Sequence, residues 1–341
     1  MSQLWVRLSL LVLLLVASAA CMSTAKAATT CTATAPTVAF GTISVTGTTD
    51  VSATFTVTCT TAGLILLGNT KVRMCLNIRD GLSGGGNFTP RRMLNTFNDP
   101  LQFQLYTDAA RSQIWGFRGS PSVPNPLLSD FDYAVPLLGG SQVRTFTIYG
   151  RVPTQILTAG MYANVFSGIH TSIEYRYDEA TLFPAAYPAS CASGGTGGVP
   201  SAFPFTASAT VPSNCRAYTT TDLDFGSIPG VITSNSDQTS TIGMTCTGRT
   251  AWQVGLNNGN NASGSIRRMR LGATGNYVAY ELYNDPARSS ATRWGNTLNT
   301  DTYAGTGTGV AQSLTVYGRL PAPQSAAAGS YSDIITVTIN Y

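Results

Sequence analysis

The sequence predicts an all-β fold built from two tandem copies of one sandwich domain. Three observations lead to this prediction. Apolar and polar or small residues alternate at period two in short segments such as 51–58, 144–149 and 333–341, which is typical of half-buried strands. No helical periodicity longer than two turns occurs after the N-terminal leader. The same motifs also recur in the same order, which indicates a repeat.

Composition narrows the class of protein. The 341 residues are enough for two domains, at about 100–200 residues each. Only 11% are charged, against about 25% in ordinary globular proteins, which argues against a cytosolic enzyme, a coiled coil or a nucleic-acid binder. His170 is the one histidine, so chemistry that needs a histidine pair or a Ser/His couple is nearly excluded.

The N-terminus has the pattern of a secretory signal peptide, residues 1–27. Arg7 precedes a mostly apolar run from Leu8 to Ala20, and Ala25-Lys26-Ala27 fits a cleavage site. Cleavage would remove two basic residues and leave 18 basic against 16 acidic, a net charge of +2, which is too weak to bind polyanions. An alternative is lipidation at Cys21, although Ser18 stands where that signal expects a bulky aliphatic residue.

Cleavage would leave six cysteines, an even number that predicts disulfides in an exported chain. No C-x-x-C pair occurs and the single histidine cannot complete a common zinc site, so we expect neither a metal nor another cofactor. The first two cysteines of each copy lie about 30 positions apart and flank its first strands. The predicted pairs are Cys31–Cys59, Cys215–Cys246 and Cys75–Cys191.

The repeat divides the mature chain into residues 28–212, the first copy, and residues 213–341, the second copy. Features present in both copies are expected to serve the fold, whereas features of one copy are candidates for a specific function. The Asp108/Arg111 and Asp285/Arg288 pairs are therefore predicted to be structural. The motifs found twice are a Cys before Phe-Gly, a second Cys, Arg-Arg-Met, Leu-Tyr-x-Asp, Trp-Gly, Tyr-Gly-Arg and Gly-x-Tyr.

This order of motifs resembles the spore coat protein U-like domain found in subunits of archaic chaperone–usher pili. The second copy carries every mark, whereas the first copy has Asn164 where the closing motif has an aspartate, Asp333 in the second copy. A two-domain member of this length is similar to the tip adhesin of such a pilus. The resemblance implies two immunoglobulin-like β-sandwiches, the second incomplete and completed by a donated strand, first from a periplasmic chaperone and then from a neighbouring pilin subunit.

The residues themselves agree with an incomplete second copy. The first copy continues past its Gly-x-Tyr strand into another alternating segment, 203–211, whereas the second copy ends with that strand. An open apolar sheet edge aggregates unless it is covered, so the second copy should need a partner. We expect the chaperone or donated strand to contact one face of the last strand, with Ile334 on the other face. The residues of that contact face are Ile335, Val337, Ile339 and Tyr341.

The start of the mature chain suggests a terminal subunit. A subunit that donates a strand needs an alternating apolar arm before its first cysteine. Only Ala28, Thr29 and Thr30 precede Cys31 after the predicted cleavage. The chain is therefore expected to accept a strand and not to donate one.

Three apolar stretches distinguish the first copy and predict a surface-binding site. They fall in connections that lie at one pole of a sandwich, away from the second copy, and large exposed apolar patches usually mark binding sites. The alternative is that some of them extend the core. Cys75 and Cys191 could staple this pole or simply hold the last strand. The predicted surface residues are Leu64, Ile65, Leu66, Leu67, Leu127, Leu128, Phe131, Tyr133, Val135, Leu137, Leu138, Leu182, Phe183 and Tyr187.

Together these features predict a non-enzymatic tip adhesin, exported through the periplasm and an outer-membrane usher to the cell surface, that binds abiotic or host surfaces and supports biofilm formation. An enzymatic alternative, a secreted glycosidase, needs paired carboxylates; the densest acidic cluster, Glu174, Asp178 and Glu179, has the pattern of solvated charges. Another alternative is a secreted coat protein that self-associates without a chaperone. Solubility of the chain expressed alone separates that alternative from a pilus subunit.

Overall fold

The computed structural model describes residues 28–63, 68–137, 139–180 and 184–341, and its regular structure is almost entirely β. The predicted signal peptide, residues 1–27, lies outside the described residues. Within those residues the helical structure is limited to two 3-10 turns, Gly168–His170 and Ser290–Thr292. None of the described segments forms a helix with the length and apolar character of a membrane span. The all-β prediction is confirmed.

The first copy contains two sheets. Eight strands form one sheet in the order β1-β3-β8-β6-β5-β9-β12-β2, and four form the other in the order β11-β10-β4-β7. The strands are β1 (Ala28–Ala33), β2 (Val38–Thr42), β3 (Thr49–Ala62), β4 (Gly68–Ile78), β5 (Arg91–Leu94), β6 (Pro100–Tyr106), β7 (Leu127–Val135), β8 (Gly140–Val152), β9 (Gly160–Phe166), β10 (Thr171–Ala180), β11 (Thr196–Gly197) and β12 (Phe205–Val211).

The second copy repeats this arrangement with fewer and shorter strands. Its main sheet has the order β13-β15-β20-β18-β17-β22, a second sheet has the order β19-β16-β23, and β14 pairs with β21. The strands are β13 (Cys215–Thr220), β14 (Val231–Ile232), β15 (Ser236–Cys246), β16 (Ala251–Leu256), β17 (Arg267–Leu271), β18 (Tyr277–Tyr283), β19 (Tyr303–Thr306), β20 (Ala311–Leu320), β21 (Gln324–Ser325), β22 (Tyr331–Ser332) and β23 (Val337–Asn340).

Each copy has its own hydrophobic core, because the alternating residues of its strands turn one face inward. On β3, for example, Ala53, Phe55 and Val57 are buried while the residues between them reach the surface. Trp115 is completely buried in the core of the first copy, and Trp294 is its counterpart in the second. Two tandem domains of one fold, as the repeat predicts, are therefore present.

The structure joins the same three cysteine pairs that the sequence predicts. Cys31–Cys59 and Cys215–Cys246 each link the first strand of a copy to the strand beside it. The third bond, Cys75–Cys191, has no counterpart in the second copy and closes a sequence separation of 116 residues.

The two copies share an ion-pair cluster around one aspartate. In the first copy Asp50 accepts hydrogen bonds from Arg151 at 2.8 Å and lies 3.4 Å from Arg111. In the second copy Asp237 has the same relation to Arg319 at 2.7 Å and to Arg288 at 3.4 Å. The arginines that follow Asp108 and Asp285 thus support the fold, as predicted.

In each copy the glycine of the Tyr-Gly-Arg motif packs closely against the phenylalanine of the Phe-Gly motif. A Cβ atom on Gly150 would lie 2.7 Å from the Phe40 ring, and one on Gly318 would lie 2.5 Å from Leu223 and 3.2 Å from the ring of Phe225. Because such short distances leave no room for a side chain, these positions in the Tyr-Gly-Arg motifs require glycine.

A buried arginine joins both sheets in each copy. Arg91 is fully buried and donates to the carbonyl oxygens of Ile78 at 3.0 Å and Trp115 at 2.6 Å. Arg267 is also fully buried and donates to the equivalent carbonyls, those of Leu256 at 2.8 Å and Trp294 at 2.7 Å. Burial lowers the pKa of Arg91 to about 9, so it remains charged at neutral pH.

The two copies meet through loops at one end of the first copy. Gly248 donates to the carbonyl of Leu157 and accepts from the amide of Ala159, both at 2.8 Å. Beside this backbone bridge, Arg249 pairs with Asp99 at 2.5 Å and lies 4.5 Å from the ring centroid of Phe97. We call this end the base of the first copy. The 13-residue strand β8 leads to it from the opposite end of the sandwich.

Candidate functional sites: an open groove and a distal pole

β12 closes the sandwich of the first copy. It runs antiparallel to β9 on one side and parallel to β2 on the other. Its inward side chains are Phe205, Ala207, Ala209 and Val211, and all four are buried. The ring of Phe205 stacks on that of Phe166 with centroids 4.5 Å apart. The extra alternating segment of the first copy therefore completes its own core.

The equivalent place in the second copy is open. β22 pairs with β17 and forms the edge of its sheet, and none of the described residues pairs with its other side. The segment opposite, residues 223–227, is the counterpart of β2 but is not a strand. Between them lie two adjoining cavities of about 630 and 540 Å³, which together we call the acceptor groove.

The acceptor groove is lined mainly by core side chains that the first copy buries. Its apolar lining includes Leu223, Phe225, Met269, Val316 and Ile335. In the first copy Met93 and Phe40 occupy the positions of Met269 and Phe225, and they are 0% and 6% exposed. Met269 is only half-buried. Phe225 and Val316 stay buried at 9% and 4%, so the partly accessible apolar surface of the groove is that of Leu223, Met269 and Ile335.

The predicted chaperone-contact residues divide into two groups. Ile335 and Val337 line the groove, and with Ile339 they are half-buried against the core. Tyr341 is 56% exposed and does not line the groove. Ile334 is 66% exposed and faces away from the core, although it also borders the larger cavity.

The prediction of one continuous strand over 333–341 is wrong, because the chain changes sheet at Asp333. β22 lies in the sheet with β17, whereas β23 pairs with β16 in the other sheet. The Asp333 carboxylate accepts from the amides of Asn260 and Asn261 at 3.0 and 3.1 Å and from the Tyr280 hydroxyl at 2.8 Å. Burial, followed by this hydrogen bond to Asp333, raises the pKa of Tyr280.

Asn164 fills the same position in the first copy. Its amide donates to the carbonyls of Asp80 and Arg92 at 2.8 and 2.9 Å, and its oxygen accepts from the amide of Ser83 at 3.0 Å. Aspartate and asparagine thus both fasten the closing strand to a neighbouring loop. The departure from the family motif does not remove the function of this position in the fold.

Three connections of the first copy leave from a single end, the distal pole. There Gly68 pairs with Val135 and Asn69 pairs with Ala180, so the ends of β4, β7 and β10 lie side by side. The connections that follow hold predicted surface residues that lie outside the described residues: Leu64, Ile65, Leu66, Leu67, Leu138, Leu182 and Phe183. β8 extends from this pole to the base at about 3.3 Å per residue, which separates the pole from the second copy by roughly 40 Å.

The prediction of a binding surface is wrong for Phe131, Tyr133 and Val135. All three are buried, with exposed fractions of 0%, 8% and 0%. They occupy alternate positions of β7, so the pleat points them together into the core. The alternative that part of this stretch extends the core is correct for these residues.

The prediction that Leu127 and Leu128 belong to one apolar cluster at the pole is also wrong. They pair with Leu76 and Cys75, at the opposite end of β7 from Val135. Eight residues separate 127 from 135, or roughly 26 Å along a strand. Leu127 packs partly against the core, and Leu128 is 68% exposed on the side of the sheet. Leu137, 51% exposed, follows the pole end of β7.

The Cys75–Cys191 bond lies mid-sheet and not at the pole. Cys75 pairs with Leu128 on one neighbouring strand and Glu174 on the other. The bond holds the segment around residues 184–195 over the outer face of this sheet. There Tyr187, half-buried, lies 4.6 Å from the Lys71 ammonium, and Arg73 donates to the Pro188 carbonyl at 3.0 Å. Tyr187 therefore belongs to this covering segment.

The acidic cluster of β10 makes structural contacts. Glu174 pairs with Arg118 at 2.8 Å, and Asp178 accepts from the amide of Ala186 at 2.8 Å. Glu179 accepts from the Thr29 hydroxyl at 2.6 Å, and burial raises its pKa. The three carboxylates therefore have separate partners, unlike the solvated charges that the sequence suggests. Within the described part of the chain no group of three metal-ligating side chains is found.

Comparison with known proteins follows the repeat. The Spore Coat Protein U domain matches residues 17–167 and 201–338. Protein U of Myxococcus xanthus is 37% identical over 83 residues, which is 24% of this chain and 45% of that protein, so the match spans less than half of the relative's length.

Two solved structures are similar over most of the chain. One is the CsuC–CsuE chaperone–tip adhesion subunit pre-assembly complex of archaic chaperone–usher Csu pili from Acinetobacter baumannii, at 16% identity and a TM-score of 0.47, covering 92% of this chain and 100% of that one. The other is the CupB6 tip adhesin of Pseudomonas aeruginosa, at 11% identity and a TM-score of 0.33, covering 92% and 95%.

Proposed function

The chain belongs to the Spore Coat Protein U domain family, and we propose that it is the tip adhesin of a chaperone–usher pilus, with a role in adhesion and biofilm formation. The first copy binds a surface and the second copy attaches the protein to the fibre. The observation that carries this proposal is the acceptor groove, which is open in the second copy where β12 fills the first. The protein acts by binding and not by catalysis.

A donated strand would enter the acceptor groove as β12 enters the first sandwich, between β22 and residues 223–227. It would add main-chain hydrogen bonds to the free edge of β22 and cover the apolar lining. An uncovered edge of this kind is an aggregation hazard, so a periplasmic chaperone would supply the strand first. A neighbouring pilin subunit would replace it at the outer-membrane usher, and the finished protein would reach the cell surface.

The first strand of the chain supports an accepting role. Residues Ala28–Ala33 form β1, which pairs along its whole length with β3 and is fixed there by Cys31–Cys59. A segment bound in this way is not free to leave as a donated strand. Residues 28–33 are therefore not a donated strand, which agrees with the proposed place at the end of the fibre.

Adhesion would use the distal pole of the first copy. The connections there carry apolar stretches that the second copy lacks, and they leave from neighbouring strand ends far from the attachment site. Burying one leucine or phenylalanine against a surface contributes about 1.5–3 kcal/mol, and many pili would multiply the effect through avidity. An abiotic or host surface with apolar character is the expected partner.

The groove is tested by co-expression with a periplasmic pilus chaperone and affinity pull-down. We expect the chain to be recovered in soluble form only with the chaperone, and Ile335→Ser with Val337→Ser, or removal of residues 332–341, to abolish recovery. Ile266→Ser is the matched control, since this isoleucine of the second copy is 54% exposed and is not part of the groove lining. Full solubility without the chaperone would instead favour a self-associating coat protein.

The pole is tested by attachment of piliated cells to hydrophobic plastic. Three sets of substitutions to serine remove Ile65, Leu66 and Leu67, then Leu137, then Leu182 and Phe183. Attachment should fall with each set and be lost when they are combined, while pili still assemble. Leu128→Ser is the control, because that side chain is equally apolar and exposed but lies away from the pole. Normal attachment by the combined variant would place binding elsewhere.

A further inference from the structure

The first copy contains a template for the strand that the acceptor groove receives. The inward positions of β12 hold one large residue at the start, Phe205, two alanines in the middle and Val211 at the end. All are at most 6% exposed, so this pattern of sizes fills the space available.

The register of β12 transfers the pattern to the second copy. Phe205 lies opposite Phe166, Ala207 opposite Asn164, Ala209 opposite Tyr162 and Val211 opposite Gly160. The repeat places Ile335, Asp333, Tyr331 and Gly329 at these four positions. Of these, Tyr331 lies on the edge strand β22, Asp333 is where the chain leaves for the other sheet, and Ile335 and Gly329 line the two cavities of the groove.

The shape of the acceptor groove gives independent support. The larger cavity is also lined by Leu282, Val316 and Ile335, and the smaller by Ile232, Leu320 and Gly329. Where the two meet, both are lined by the same residues: Leu223, Asp224, Phe225, Met269 and Tyr331. Large side chains therefore lie where the two cavities adjoin, at the middle of the groove.

The counterparts of these central residues explain the two alanines. In the first copy Phe40, Met93 and Tyr162 are buried in the same core as Ala207 and Ala209, and Ala209 is the register partner of Tyr162. Large residues on the fold side of the contact leave room only for small residues on the strand side, since close-packed interiors tolerate little extra volume.

We propose that the acceptor groove selects its donated strand by size, requiring large apolar side chains at the two outer inward positions and small ones at the two central positions. The inference rests on the proposed function, because it presumes that the groove receives a strand. It adds which strands are accepted: a segment that is uniformly bulky along its inward face would be rejected in favour of one with a small centre.

The test extends the full chain after Tyr341 with about ten flexible Gly/Ser residues, long enough to reach the groove, followed by a seven-residue segment. The parent segment is Phe-Thr-Ala-Ser-Ala-Thr-Val. One variant replaces both alanines by leucine, and a second, Ala-Thr-Phe-Ser-Val-Thr-Ala, has the parent composition with the sizes reversed. The midpoint of thermal unfolding of the second copy is measured for each against the linker alone.

The parent segment should raise this midpoint, and each variant should fall short of the parent by at least about 5 °C because the centre is overpacked. Equal stabilisation by all three segments would overturn the size pattern and leave strand completion standing. No stabilisation by any segment, either fused or added as a peptide during refolding, would overturn strand completion as well.

Discussion

The first copy places β12 between β9 and β2, whereas in the second copy the equivalent positions beside β22 are open. Three other supports are duplicated: the Cys31–Cys59 and Cys215–Cys246 bonds, the aspartate–arginine cluster and the buried arginine. One domain design is thus found in a closed and an open form. Supports that both forms share belong to the fold, and the features that differ are where function is to be sought.

The two copies also differ in what lies at the same pole. The turn after Cys246, with Gly248 and Arg249, contacts the base of the first copy. The matching turn of the first copy, after Cys59, carries the apolar insertion at residues 64–67. The turn that joins the domains in the second copy is therefore replaced in the first by a longer, apolar sequence.

The largest expected effect comes from the disulfide that only the first copy has. Replacing Cys75 and Cys191 by alanine opens a loop of 116 residues and should cost about 4–5 kcal/mol. Hydrogen exchange of the chaperone-bound chain in increasing denaturant should show the loss in peptides of the first copy. Equal loss in residues 213–341 would mean that the copies do not unfold independently.

A smaller effect on stability is expected at the buried arginines. Arg91 has Gln104 as its side-chain partner in the first copy, whereas Arg267 has Glu281 in the second. Glu281 accepts from both Arg267 and Arg293. Its neutralisation in Glu281→Gln leaves the buried Arg267 without its anion and leaves Arg293 with Asp301 at 3.8 Å, at a cost of about 3 kcal/mol. Gln104 instead accepts from Arg91 at 2.5 Å and donates to the Phe88 carbonyl at 2.7 Å.

Gln104→Glu should therefore change the stability of the first copy by about 1 kcal/mol only, because the gain near Arg91 is offset by a carboxylate facing the Phe88 carbonyl. Denaturant unfolding of the two variants measures the contrast. An equal loss of unfolding free energy in both variants would show that stability does not depend on which of the two side chains, Gln or Glu, faces the buried arginine of a copy.

The smallest effect on stability is expected at the aspartate–arginine clusters, and it should be similar in the two copies. Hydrogen bonds from Arg151 and Arg319 lower the pKa of Asp50 and Asp237 in the folded protein. The stabilisation is complete above the unfolded pKa near 4 and is lost as the pH falls through the lower folded pKa. Asp50→Asn and Asp237→Asn should each cost about 1 kcal/mol or less at pH 7, because the carboxylates are partly exposed.

Unfolding curves from pH 7 to pH 2 check this prediction. The difference between each variant and the parent should shrink at the acid end and be similar for the two sites. A pH-independent difference would assign the effect to packing and not to charge.

The sequence predicts the fold, the repeat and the cysteine pairs well because each depends on local alternation or on order along the chain. It identifies 203–211 as the closing strand for the same reason. It fails where long-range position decides: Phe131 and Tyr133 share the apolar character of a binding loop, but the pairing of β7 with β4 turns them into the core. The break at Asp333 depends on contacts with Asn260 and Tyr280, which are far away in sequence.

The acceptor groove itself could be predicted only as a missing strand. Its shape depends on side chains that several strands bring together, such as Phe225, Met269 and Tyr331. Sequence comparison of the copies does identify these positions, because each has a counterpart of the same type in the first copy, Phe40, Met93 and Tyr162. What it cannot supply is the space between them.

Hydrogen exchange of the two edge segments tests the central claim most directly. Residues 160–166 pair with β12 within the chain, whereas the equivalent residues 329–335 have no such partner strand and include the edge strand β22. In the full chain, freshly released from its chaperone, we expect 160–166 to be protected and 329–335 to exchange rapidly, with protection of 329–335 restored when chaperone or a donated strand is added. Protection of 329–335 equal to that of 160–166 without any partner would contradict an open second sandwich.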